Sequence, residues 1–181
     1  MTSPPPLLAG LRLSGRRACV VGVGRDAERR VRDLERCGAE VVTVDSAPDA
    51  TELAGCRVVV ICVDDWAEAA EAARAAGALV YVPDVPEASD LVMAAIVRRG
   101  DLQVAVSTGG RTPGGARRLK ELVDEWLPPT AAAAIDAMAA VRAEMRDAGD
   151  RLPAYEVWAA ALDPGLSAGD DDAAAAAVRA V

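Results

Sequence analysis

The chain has 181 residues, enough for one ordinary domain and a smaller appendage, and long enough to bury roughly two-thirds of its unfolded surface without staples. Apolar residues make up 52% of it with no Phe at all, so helices must pack through Ala and strands must be rich in Val. A formal charge of -8 with no basic tail argues against nucleic acid as a main partner, and the absence of His leaves acid–base work to carboxylates, Lys, Cys or Tyr.

Residues 1–6 have neither the basic start nor the apolar stretch of a signal peptide, and no window reaches transmembrane length, so a soluble, cytoplasmic protein without a membrane partner is expected. The first strand ends in Cys19-Val20-Val21-Gly22-Val23-Gly24-Arg25-Asp26-Ala27, an apolar run that breaks into G-x-G-x-x-A and then into a charged helical pattern. At such a turn Gly22 takes a conformation closed to other residues, Gly24 lets a pyrophosphate approach, and Ala27 packs helix on sheet. The helix runs to Cys37 and stops at Gly38. A second strand, Ala39 to Val44, ends in Asp45, about twenty residues past the glycines. A carboxylate there accepts from a ribose 2'-hydroxyl and repels a 2'-phosphate, which favours NAD over NADP as cofactor.

Further strands are predicted over Arg57 to Val63, closed by Asp64-Asp65, and over Ala78 to Val82, with an alanine-rich helix from Trp66 to Ala76 between them. Strands alternating with helices at this spacing imply right-handed crossovers and a parallel sheet. After Asp84 the pattern changes. A strand is predicted within Leu91 to Val97 and another over Leu102 to Ser107, followed by the turn Thr108-Gly109-Gly110 and a helix from Pro113 to about Trp126. Beyond Pro128-Pro129 come a strongly helical Ala131 to Ala148, a weaker helix over Ala154 to Leu162, a break over Gly165 to Asp172, and an end expected to fray. Cys19, Cys37, Cys56 and Cys62 form no C-x-x-C pair and read as buried free thiols rather than a metal site or disulfide.

Several of these segments resemble the siroheme synthase family. The resemblance is carried by Leu11-Arg12-Leu13-Ser14-Gly15-Arg16-Arg17, by Asp64-Asp65, by Val82-Pro83-Asp84-Val85-Pro86, and above all by Ser107-Thr108-Gly109-Gly110-Arg111-Thr112-Pro113 with Ala116-Arg117-Arg118-Leu119-Lys120 behind it. It covers about Leu8 to Leu127. It implies an α/β fold: a Rossmann-like NAD-binding domain over residues 1–84, a small α/β region for dimerisation and substrate over 85–127, and a helical region over 128–181 with a frayed tail. It further implies oxidation of precorrin-2 to sirohydrochlorin with NAD, a homodimer, and in many members insertion of ferrous iron.

Carried over by position, the family's catalytic aspartate matches Asp84, its cofactor contacts match Arg25, Asp26, Ser46 and Ala47, and Thr108 stands where a serine near the substrate usually does. Asp84 follows a predicted parallel strand, where ligands of such sheets bind, although an Asp before Val-Pro also simply starts turns. Gly109, Gly110, Arg111 and Arg117 offer amides and guanidinium groups to a polycarboxylate substrate. The alternative for that helix is an ordinary solvated face in which Glu121, Asp124 and Glu125 pair with its Arg and Lys residues. Three departures stand out: the stretch from the second strand to Cys56 is too short for the customary extra strand and helix, Val23 replaces a third glycine, and Tyr81 replaces an Asn. Two competing readings follow, a non-catalytic member that binds dinucleotide or tetrapyrrole as sensor or partner, and a short dehydrogenase for an unrelated small molecule.

Overall fold

A computed structural model describes residues 6–46 and 48–180. Ala47, one of the expected cofactor contacts, lies outside the described residues. The chain divides into two compact units, one containing the residues through Met93 together with Gly109–Arg111, the other Ala94–Thr108 with the residues from Thr112 onward.

In the first unit, β1 (Arg17–Val21), β2 (Glu40–Val44), β3 (Cys56–Ile61) and β4 (Leu79–Tyr81) form a wholly parallel sheet in the order β2-β1-β3-β4. Alternation along the strands sorts its two faces. Ala18, Val20, Val58 and Val60 pack with Ala27 and Leu34 of α1 (Arg25–Glu35), while Cys19, Val21, Val59, Ile61 and Val80 pack with Ala69, Ala70 and Ala73 of α2 (Ala67–Ala75). Small helix residues against β-branched strand residues let helix and sheet approach closely, as a composition without Phe requires.

The connection from β1 through α1 leads to β2 on one side, and the chain then crosses to β3 on the other, so strand order reverses between β1 and β3. That reversal opens a crevice at the carboxyl ends of these strands. Among its described residues the crossover from β2 to β3 contains no helix. Asp49 instead accepts from the amides of Thr51 (2.7 Å) and Glu52 (2.9 Å), and Leu53 is buried on the α2 face in place of a helix.

The second unit pairs β5 (Ala95–Arg99) with β6 (Leu102–Val106) as an antiparallel hairpin whose turn uses Gly100 at φ +54°. The predicted strand over Leu91 to Val97 thus begins four residues late. Asp90 bonds to Val80 of β4 and Ser89 to Val82 just past it instead, and Leu91 and Met93 pack into the core beneath α1. Arg99 ties the hairpin to α3 (Pro113–Trp126) by an ion pair to Asp124 at 2.8 Å and a bond to the Asp124 carbonyl at 2.9 Å. That guanidinium bond holds the Asp124 carboxyl below its usual range.

Helices α4 (Ala131–Ala148), α5 (Tyr155–Leu166) and α6 (Asp171–Arg179) complete this unit. Gly165, expected to open a break, lies inside α5. A Cβ there would sit 2.9 Å from both Ala134 and Val178, so glycine is what allows three helices to meet. The tail expected to fray is α6, capped by Asp170 on the Ala173 amide at 2.8 Å and anchored by buried Ala174 and Val178.

Candidate active site

The crevice at the carboxyl edge of the parallel sheet is built from backbone first. The Gly22 amide donates to the Val44 carbonyl at 2.7 Å and the Cys62 amide to the Val21 carbonyl at 2.7 Å, which brings the ends of β1, β2 and β3 level. Gly22 has φ +112°, and a Cβ on it would lie 2.8 Å from the Cys62 carbonyl oxygen, so no other residue fits. Gly24, at φ +92°, begins α1, and a Cβ there would meet nothing within 4 Å. The space above that turn is open, and no side chain caps the first amides of α1, from Arg25 to Ala27. An open glycine followed by uncapped amides fits a dinucleotide pyrophosphate. Ala27 is buried against the sheet as expected, and Val23, 71% exposed, leaves the turn unobstructed.

Around this turn, Asp45 and Ser46 follow the end of β2 and are exposed, one place along from the Val44 carbonyl that holds Gly22. Arg25 is exposed, and Asp26 pairs with Arg29 at 3.2 Å one turn along α1.

Asp84 stands just past β4, with its side chain exposed at the same edge of the sheet. The Val85 amide donates to the Val82 carbonyl at 3.2 Å, Pro83 takes the second position, and Asp84 takes the third at φ +61°. This is the pattern of a type II turn, whose third position normally belongs to glycine. Among the described residues Asp84 is the one non-glycine residue at positive φ. An L-residue there costs about 1 kcal/mol, less for Asp than for most.

Residues with no motif to announce them hold that turn. The Ser89 hydroxyl accepts from the Val82 amide at 2.9 Å and lies 3.0 Å from the Val85 carbonyl, to which it donates. Asp90 takes the Val80 amide on its carboxylate at 2.9 Å and gives its own amide to the Val80 carbonyl at 2.8 Å. Arg74 then braces Asp90 at 3.2 Å and reaches the Ala88 carbonyl at 2.7 Å. Ser89-Asp90 therefore serves as a stub of a fifth strand, and the only sequence signal for it is a Ser-Asp pair after Val-Pro.

Of the glycine pair expected near the substrate, Gly110 comes beside the Asp84 loop: a Cβ on it would lie 3.3 Å from Pro86. Gly109 and Gly110 have φ of +64° and +79°, and Arg111 is exposed. In the second unit, Thr108 accepts from the Thr112 amide at 3.2 Å and closes the entry to α3. Arg117 and Arg118 pair with Glu121 at 3.4 and 3.2 Å, and Lys120 with Asp124 at 3.6 Å, the intrahelical pairs expected of a solvated face.

All four cysteines are free thiols, and Cys37 is exposed rather than buried as expected. Burial pushes Cys19 up to about 11 and raises Cys56 as well. Cys62, at the crevice itself, is also raised by burial, which the nearby Arg30 guanidinium only partly opposes. Burial thus keeps Cys19, Cys56 and Cys62 as neutral thiols near pH 7, which leaves the carboxylates at this edge of the sheet, Asp84 among them, as candidate bases. Among the described residues no three His, Cys, Asp or Glu side chains are grouped to hold a metal ion, and no helix is long and apolar enough to cross a membrane.

A parallel sheet with a glycine turn at its switch point and an acid closing the second strand is the arrangement found in dinucleotide-binding α/β proteins. A family model described as "Putative NAD(P)-binding" matches residues 9–95. Among solved structures, this chain shares the fold of "SirC, precorrin-2 dehydrogenase": the two superpose with a TM-score of 0.69 at 20% sequence identity, over 97% of this chain and 100% of that one. No curated protein sequence matches the chain.

Proposed function

We infer that this chain is an NAD-dependent precorrin-2 dehydrogenase producing sirohydrochlorin. The observation that carries the reading is Asp84, a carboxylate kept at a backbone position suited to glycine, at the carboxyl edge of the sheet that bears the glycine turn. Strain of this kind persists where the side chain has a task. The likeness to SirC in fold and the motifs around Asp84 and Gly109-Gly110 agree with it.

NAD bound at the glycine turn supplies a hydride acceptor. The chain's own residues do the rest. Gly24 and the α1 amides seat the pyrophosphate, Asp45 accepts from the adenosine ribose, and Arg25, Asp26 and Ser46 border the cofactor. Asp84 takes the proton that leaves a ring carbon as the macrocycle gives up a hydride, so the substrate loses two hydrogens and gains one double bond. The Gly109-Gly110 turn and Arg111 receive substrate carboxylates near that loop. Thr108 and Arg117 are assigned to substrate on the resemblance alone. Ferrous iron enters the proposal only as a second substrate for the product. A cytoplasmic homodimer completes the reading, supported by the apolar stripe Leu119, Leu122 and Trp126 left exposed on α3.

The test is anaerobic turnover of enzymatically generated precorrin-2 with NAD, following NADH and the sirohydrochlorin bands together, in wild type and Asp84→Asn. Asn tolerates positive φ, so the variant should fold with unchanged Tm and bind NAD normally while kcat drops by about 100-fold or more. A wild type that binds NAD and precorrin-2 without turnover would be a binding protein, and the reading would fall.

A further inference from the structure

Two cavities lie away from the crevice. They lie at the opposite, amino edge of the parallel sheet, where spaces of about 470 Å³ and 360 Å³ adjoin through Arg16, Arg57 and Gly77. Arg12 lines the smaller and Arg17 the larger; Glu40 is the one acidic residue on either wall. Arg17 donates to the Ala54 carbonyl at 2.8 Å. Arg12, Arg16 and Arg57 make no ion pair or side-chain hydrogen bond with any described residue. Three guanidinium groups without an ion pair thus face one small region, with Glu40 its one carboxylate, in a protein whose net charge is -8.

Helix ends do not account for them. The C-termini of α1 and α2 also point to this edge, but each offers only about half an elementary charge, so together with Glu40 they offset about two of the four cations on the walls, Arg17 included. The geometry points to a second ligand site here, for an organic polycarboxylate with an apolar body. Two features choose that class. Phosphate sites use free backbone N–H groups, yet the rim amides of Gly15 and Gly77 are already donated to the Gly38 and Arg74 carbonyls at 2.9 Å each. The smaller cavity has an aliphatic wall that includes Leu11 and Leu79, 51% and 41% exposed, and no acid at all. Guanidinium forks beside an aliphatic wall suit carboxylates carried on a flat apolar skeleton. The cavity sizes lie within the range of small-molecule sites.

Calorimetric titration of the full chain with naphthalenetetracarboxylate at physiological ionic strength tests this site separately from the dehydrogenase reading. Arg16→Gln/Arg57→Gln should weaken binding about tenfold or more, Arg12→Gln less, and neither should alter NAD affinity or Tm. Binding that is absent from wild type, or equal in wild type and the double variant, overturns the site. Inorganic phosphate binding as tightly as the tetracarboxylate overturns the ligand class. Should the double variant fail to fold, Arg12→Gln alone decides, since unchanged affinity in it is equally contrary.

Discussion

Two side chains make opposite demands on ionisation. Asp45, the proposed ribose contact, would act as a carboxylate: it follows Val44, whose carbonyl holds the Gly22 amide, where a charged group would accept from a ribose hydroxyl and repel a phosphate. Asp45→Asn keeps size and hydrogen bonding but removes the repulsion, so the NAD-to-NADP preference in binding should fall about tenfold, read by titrating both cofactors. Cys19, buried on the face of β1 that packs with α2, favours the neutral thiol, and burial raises it from an ordinary 9.0 to about 11. In the unfolded chain it ionises near its ordinary value, so folded protein holds the extra proton between those limits. Its contribution to stability is complete below pH 9 and is lost as pH rises towards about 11. Thermal melts across that window should show Tm falling more steeply in wild type than in Cys19→Ala.

Elements differ in how plainly their residues announce them. The strand-turn-helix at Gly22-Val23-Gly24 was legible because each residue type there answers one steric demand, and the Val-rich strands because a sheet covered on both faces needs uninterrupted apolar runs. The role proposed for Asp84 rests in the sequence only on its neighbours in a known pattern, since an Asp in a turn has several uses. Its positive φ, which distinguishes it physically, depends on Pro83 before it and Ser89 after it acting together. Gly165 misleads for a similar reason: glycine reads as a stop, whereas here it is the one residue small enough for the meeting of α4, α5 and α6. Ser89 was invisible because its bonds run to backbone atoms of its own loop. Removing its hydroxyl leaves the buried Val82 amide without that acceptor and frees the turn to relax, a loss of about 1–2 kcal/mol. Ser89→Ala should lower kcat for precorrin-2 oxidation several-fold while KM for NAD stays unchanged, because the glycine turn does not touch that loop's bonds. A fall in NAD affinity instead would mean the loop supports the cofactor side.

At the scale of the whole molecule, the question is what covers the apolar surface of the second unit. Leu119, Leu122 and Trp126 recur at helical spacing along α3 and are 49%, 44% and 76% exposed, on a helix none of whose residues is buried. The opposite arrangement, with apolar residues inward and charges outward, is what a helix of an isolated chain adopts. Here Arg117, Arg118 and Glu121 pair among themselves and leave the apolar stripe clear of charge. An amphipathic helix with an open apolar stripe and a Trp at its end has the makings of an interface core, where aromatic anchors dominate the binding energy. Light scattering should therefore find a dimer for wild type and a monomer for Leu122→Glu/Trp126→Glu, since two carboxylates per subunit would meet their symmetry mates in an apolar seam. Because the glycine turn belongs to the other unit, the monomeric variant should bind NAD as wild type does. A wild type that scatters as a monomer at micromolar concentration removes the dimer and leaves that stripe for a partner of another kind.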